Sequence, residues 1–166
     1  MPTNPEFSPV LLDSAEEIVQ GPNPILRDVR FYKIAAELNE DAIGSEPSSA
    51  RTEGITALNE EEQATDIEVG IGLRTMQRGT ALGVRIKFTA HQDKWDVELD
   101  VAAEFVAQEA FEVTEHGRTD FANKVGVMTL FPYIREAVGN MTQRTVGTSF
   151  ILPTLRQGDI NFSSQP

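Results

Sequence analysis

Three stretches in the middle of the chain alternate apolar and polar residues. Ile67, Val69, Ile71 and Leu73 form the first run, Leu82, Val84, Ile86 and Phe88 the second, and Val97, Leu99, Val101, Ala103 and Phe105 the third. A period of two predicts strands with one buried face, joined by the short linkers Gln77-Arg78-Gly79 and His91-Gln92-Asp93. Placing a turn at Gln92–Asp93 sets Phe88 against Val97, Ile86 against Leu99 and Val84 against Val101, with Lys87 facing Glu98 and Arg85 facing Asp100 behind them. A turn at Arg78–Gly79 sets Leu73 against Val84, Ile71 against Ile86 and Val69 against Phe88. One register thus gathers the apolar residues on one face and opposes charges on the other. Each such pair contributes ~0.2–1 kcal/mol, and a one-residue slip would invert the face. The expectation is an antiparallel meander from about Asp66 to Ala107.

Before the meander, Ile25–Leu38 begins as a strand, with Val29 and Phe31 alternating against charged neighbours; its end, KIAAEL, fits helix equally well. Residues 1–24 carry five of the nine prolines and read as a flexible tail. Within it a short helix, Ser14 to Gln20, is suggested by Ser14 as N-cap with Glu17 three residues on. After the polar stretch EVTEHGRTD, the residues Phe131, Ile134, Val138 and Met141 recur at helical spacing. Pro132 either starts this helix or kinks it. Gly139, which costs about 1 kcal/mol relative to Ala in a helix interior, suggests close approach by another backbone, as at a helix–helix contact. From Val146 the chain is an irregular loop with apolar side chains. The fold class is α+β: a four-stranded antiparallel sheet with a long β1–β2 connection, a meander, one long C-terminal helix and a crossover loop. One helix of about 14 to 22 residues (~21–33 Å at 1.5 Å per residue) cannot cover such a sheet, so an obligate oligomer is expected.

Composition narrows the function. The 166 residues suit one domain, expected at 25–162 with a short tail at 163–166. There is no cysteine, which excludes disulfides and thiol chemistry. No apolar run is long enough to insert in a membrane, and the N-terminus lacks a signal-peptide pattern, so a cytoplasmic location is expected. The net charge is −12. From Glu37 to Glu68 ten acids face one base, Arg51, a net −9. That makes residues 39–64 a flexible acidic connection and the protein a poor nucleic-acid binder.

Candidate chemistry is thin. His91 and His116, the only histidines, fall at a hairpin and in a polar loop, where solvated side chains are the ordinary outcome. Gly70-Ile71-Gly72 lies inside a strand, not ahead of a helix as a phosphate loop requires. Asp96, Glu98, Asp100 and Glu104 share the polar face of the third run; paired carboxylates can do acid–base or metal work, but nothing else converges on them. No catalytic residue, metal site or cofactor is expected. The alternative from another class, a curved sheet wrapping a helix around a small ligand, lacks polar residues on the apolar face.

The segment Leu130–Arg144, LFPYIREAVGNMTQR, resembles the helix motif of the SecB family, approximately LFPYARE with a Met a few residues on. Phe150-Ile151-Leu152-Pro153 and Asp159-Ile160-Asn161-Phe162 resemble that family's crossover loop. The resemblance implies an ATP-independent chaperone that is not an enzyme, a homotetramer built as a dimer of dimers, holding unfolded preproteins for export. Some relatives guard an antitoxin of a toxin–antitoxin system instead. It implies a client groove lined by Leu130, Phe131, Tyr133, Ile134, Phe150, Leu152 and Leu155. It also implies an acidic partner-docking face with Asp96, Glu98 and Asp100, SecA being the candidate partner. The family runs on into a second helix and tail where this sequence ends four residues after Phe162, and Lys33 stands near where an acid is expected; neither feature favours SecA.

Overall fold

The structure, a computed structural model, describes residues 10–39 and 67–163. In chain order the elements are β1 (Leu11–Leu12), α1 (Ala15–Gln20), β2 (Ile25–Leu38), β3 (Glu68–Arg78), β4 (Ala81–Gln92), β5 (Trp95–Val106), β6 (Glu112–Val113), α2 (Glu115–Phe121), a π-helical turn (Ala122–Gly126) and α3 (Val127–Val146). The main sheet is antiparallel, in the order β2-β5-β4-β3, and β1 pairs with β6 in a small parallel ribbon. Most of the acidic connection, and the first nine residues of the tail, lie outside the described residues.

The meander forms with the expected faces, but both hairpins sit two positions away from the expected register. Phe88 opposes Leu99 and Ile86 opposes Val101; Leu73 opposes Ile86 and Ile71 opposes Phe88. A shift of two leaves every side chain on its face. In the first hairpin the cause is Gly79: its φ of 59° places it at the first central position of the turn, with Thr80 second, where a Gly-X pair fits a type II′ turn. The sequence expectation had put Gly79 second. The KIAAEL end of β2 is strand throughout, paired from Ile34↔Leu99 to Leu38↔Trp95.

Part of the proposed tail belongs to the fold. Ser14 caps α1 by accepting the Glu17 N–H at 3.2 Å, and the Glu17 carboxylate reaches back to the Asp13 N–H at 2.7 Å. Ala15 and Ile18 are buried, and Asp120 on α2 accepts the Ala15 N–H at 2.8 Å. The acceptor role lowers the Asp120 pKa against the opposing effect of burial.

The C-terminal helix is much longer than the expected one. Thr114 caps it by accepting the Gly117 N–H at 2.9 Å, so EHGRTD is helix and His116 lies in its first turn. Pro132 is an interior residue whose exposed ring points away from the sheet. From Glu115 to Val146 the helix runs about 48 Å at 1.5 Å per residue. One stripe of buried positions runs through Gly117, Phe121, Gly126, Leu130, Ile134, Val138 and Thr142, with Ala122, Val127 and Phe131 buried beside it. Every step is four residues except the five from Phe121 to Gly126, and that step coincides with the π turn. The wider turn absorbs one residue and keeps both halves facing the sheet. At Gly126 a Cβ would lie 2.6 Å from a Val84 methyl, so the absent side chain sets how closely helix and sheet approach.

The core fills the space between this helix and the inner faces of β4 and β5, including Phe88, Leu99, Val101 and Phe105, whose ring meets Phe121 edge-on at 5.1 Å. The helix does not cover the flanks: Ile34 on the inner face of β2 remains 54% exposed.

Candidate functional site

The C-terminal loop runs back along α3, pinned at two ends. Near the helix C-terminus, Gly147 takes up the left-handed conformation (φ 77°) that ends α3. The buried Thr142 hydroxyl then accepts the Phe150 N–H at 2.7 Å, and the Ser149 hydroxyl donates to the Gly139 carbonyl at 3.1 Å. A Cβ on Gly139 would lie 3.1 Å from Ser149 Oγ, so the backbone this glycine admits is the loop's, not a second helix's. Phe150 rests on the buried Trp95 ring, centroids 5.6 Å apart, and Leu152 is buried in the core. At the far end Asn123 clamps the chain: its amide donates to the Phe162 carbonyl at 2.8 Å and its carbonyl accepts the Phe162 N–H at 2.9 Å. Between the anchors, Asp159 closes a small turn with Arg156.

Between loop and helix lies a groove of about 460 Å³. Met128, Phe131, Pro132 and Gly139 form its helix side and Ile151 and Leu155 its loop side, with Arg135, Glu136, Asn140, Ser149 and Thr154 supplying polar edges. Of the residues the motif resemblance points to, the structure brings Phe131 and Leu155 into this groove. Leu130, Ile134 and Leu152 are buried in the core behind it, Phe150 is half-buried on Trp95, and Tyr133 is exposed on the outer side of the helix. Sequence reasoning missed Met128 and Ile151 as lining residues and Asn123, Thr142 and Trp95 as supports. For Met128 the signal was present, one helical turn before Pro132; the others depend on where the loop lies.

Three carboxylates of the sheet's outer face, Asp96, Glu98 and Asp100, are each engaged. Asp96 is hydrogen-bonded to His91, Glu98 pairs with Lys33, and Asp100 takes a bidentate bond from Arg85 at 2.6 and 2.7 Å. The hydrogen bond from Arg85 holds Asp100 below the usual carboxylate range, and the bond to Asp96 raises His91 above the usual histidine value. Among the described residues no group of three or more His, Asp or Glu side chains gathers as a metal site, and no helix is long and apolar enough to cross a membrane.

An α+β sheet with a long helix laid over it, and a loop returning along that helix to leave an apolar groove, is the architecture of a SecB-like chaperone. The SecB-like chaperone SmegB of Mycolicibacterium smegmatis is 32% identical over 102 residues, covering 61% of this chain and 70% of the relative. The chain therefore belongs to the SecB-like chaperone family. Among solved structures it is similar to the Mycobacterium tuberculosis SecB-like chaperone Rv1957 in complex with a ChAD peptide from the HigA1 antitoxin Rv1956. That match has a TM-score of 0.58 at 22% identity over 80% of this chain and 88% of that one, a likeness of fold. No family model matches the sequence.

Proposed function

We propose that the chain works as an ATP-independent chaperone, holding unfolded or extended polypeptide in the groove between α3 and the C-terminal loop without catalysing a reaction. The observation that carries this is the apolar lining itself, Met128, Phe131, Pro132, Ile151 and Leu155, left open beside the core. Burying one large apolar side chain there is worth about 1.5–3 kcal/mol, whereas micromolar affinity needs about 8 kcal/mol. A client must therefore place several side chains at once, which suits an extended chain spanning the groove and its copies in an oligomer. The uncovered flank of the sheet at β2 supports such assembly, for which a tetramer is the family's pattern. Because Glu98 and Asp100 are paired with Lys33 and Arg85 and Asp96 is hydrogen-bonded to His91, a client or antitoxin segment in the groove is better supported than SecA on the sheet face. The complex of Rv1957 with an antitoxin peptide favours the antitoxin version of this reading.

The test is suppression of aggregation of a reduced, unfolded model substrate without nucleotide. Near-stoichiometric protein delays aggregation, and the double variant Ile151→Ser/Leu155→Ser, altered at the groove's loop side, weakens the delay severalfold. An unchanged aggregation curve with the unaltered protein would refute the proposal.

A further inference from the structure

The outer face of the sheet carries a cationic belt running across the strands, in a chain whose net charge is −12. Two adjacent register lines make it. One contains Lys33, Asp100, Lys87 and Gly72 on β2, β5, β4 and β3; the next contains Arg30, Ala102, Arg85 and Arg74. Five cations and one carboxylate thus share two lines, and once the flanking Asp28 and Glu98 that pair with Arg30 and Lys33 are counted the local excess is two positive charges, on a belt spread over about 14 Å at ~4.8 Å per strand. Arg85 is held by Asp100 and lies 4.2 Å over the Tyr32 ring, while Lys33 and Arg30 pair with Glu98 and Asp28 on the flanking lines. Arg74 and Lys87 have no carboxylate within 4 Å among the described residues. Arg74 also stands directly opposite Arg85, an arrangement of like charges that costs stability.

Two further observations describe what would lie on this belt. Beside it is a depression of about 250 Å³ with Tyr32, Met76, Gly83 and Ala102 in its lining and two charges of each sign, Arg30, Arg78, Asp28 and Glu104, also lining it, so the depression itself favours an uncharged side chain; Tyr32 and Met76 are 59% and 68% exposed. Gly72 and Gly83 occupy strand interiors, where glycine is unfavourable, yet a Cβ on either would meet nothing closer than 3.7 Å. Packing within the chain does not call for them, and their bare backbone leaves room for a close approach from outside. A nucleic acid would bring a charge every ~1.7 Å of its axis to a chain that is strongly negative elsewhere. A short polypeptide segment with a few carboxylates and an apolar side chain meets both the belt and the depression.

We infer that the outer face of the sheet, centred on Arg74 and Lys87, is a second docking surface, separate from the groove, for an acidic polypeptide segment that lodges an apolar side chain between Tyr32 and Met76. The inference stands independently of the groove's client-holding role.

The probe is a fluorescently labelled dodecapeptide of alternating Glu and Ser with one central Leu, titrated with the full chain and followed by anisotropy. The unaltered protein binds it, with affinity falling steeply as salt rises, and does not bind the same peptide with Gln for Glu. The double variant Arg74→Gln/Lys87→Gln loses about five- to tenfold in affinity, as two exposed charge pairs would give, while Arg74→Lys/Lys87→Arg retains binding. In the Gln variant the urea midpoint does not fall and aggregation suppression is unchanged, which separates this surface from the groove. Equal binding by the Gln variant and the unaltered protein overturns the inference. So does tighter binding of a 12-nucleotide single-stranded DNA than of the peptide. Peptide binding seen only after residues 40–66 are replaced by a Gly/Ser linker also overturns it, because the chain's own acidic segment is then the occupant.

Discussion

Replacing Thr142 by Val tests whether the C-terminal loop is fastened to the helix through a single hydroxyl. Thr142 is fully buried, donates to the Val138 carbonyl at 2.9 Å and accepts the Phe150 N–H at 2.7 Å. Valine matches its shape and helix propensity, and the Val138 carbonyl keeps its helical partner, so that side of the exchange costs little. The Phe150 N–H, half-buried, is left without an acceptor, which costs about 1–3 kcal/mol. Burial of the added methyl offsets part of this at about 0.8 kcal/mol, for a net loss of up to about 2 kcal/mol. Because the lost bond joins the loop to α3, the loss falls on loop opening: the Phe150 amide should exchange with solvent faster, by up to about 30-fold. Amide exchange by NMR reads this position directly, and urea unfolding gives the global change. Thr142→Ser removes a methyl but keeps the hydroxyl, so it should cost stability while leaving the Phe150 amide protected. If Phe150 exchanges as slowly in Thr142→Val as in the unaltered protein, the hydroxyl does not hold the loop.

Gly126→Ala should destabilise by about 1–3 kcal/mol in urea, because its Cβ would lie 2.6 Å from Val84; the double variant with Val84→Ala should lose less stability than the sum of the two single losses. Asp100, whose folded pKa is lowered by Arg85, contributes stability that is complete above its ordinary value and is lost as pH falls through the lowered folded value. Acid titration of the unaltered protein should therefore show stability declining below about pH 4, with a shallower decline in Asp100→Asn. That variant should already be weaker at pH 7, by about 1–2 kcal/mol, for loss of one charged partner to Arg85.

The strands were legible because each buries one face, and alternation at Val97, Leu99, Val101, Ala103 and Phe105 is a direct record of it. Their register was legible only to within two residues: face and charge pattern repeat every second position, and the turn geometry that separates the choices rests on the φ of Gly79. The front of the long helix was hidden for a different reason. Its first turns are polar, and the five-residue step from Phe121 to Gly126 breaks the spacing by which such a helix is recognised; the π turn that repairs the break is visible only in three dimensions. The motif LFPYIRE pointed to the right helix, yet spacing alone could not tell Leu130 and Ile134, turned to the sheet, from Phe131, turned to the groove. The acidic residues of the third strand suggest a negative face; in three dimensions Lys33 and Arg85 pair with Glu98 and Asp100, His91 is hydrogen-bonded to Asp96, and Arg74 and Lys87 stand among them without a carboxylate of their own.

The π turn and the two pins of the loop together impose a length rule on this region. Asn123 and Thr142 stand nineteen positions apart on one stiff rod, about 28 Å, and the twelve steps from Phe150 to Phe162 reach at most about 40 Å when fully drawn out. Rod and cord are matched with modest slack, taken up at the Arg156–Asp159 bend. One residue inserted into the rod would swing Asn123 around the axis by about 100° relative to Thr142, beyond the reach of an amide that must meet both backbone groups of Phe162. Insertions should accordingly be accepted in the cord, at the Gly158 bend, and rejected between the two pins.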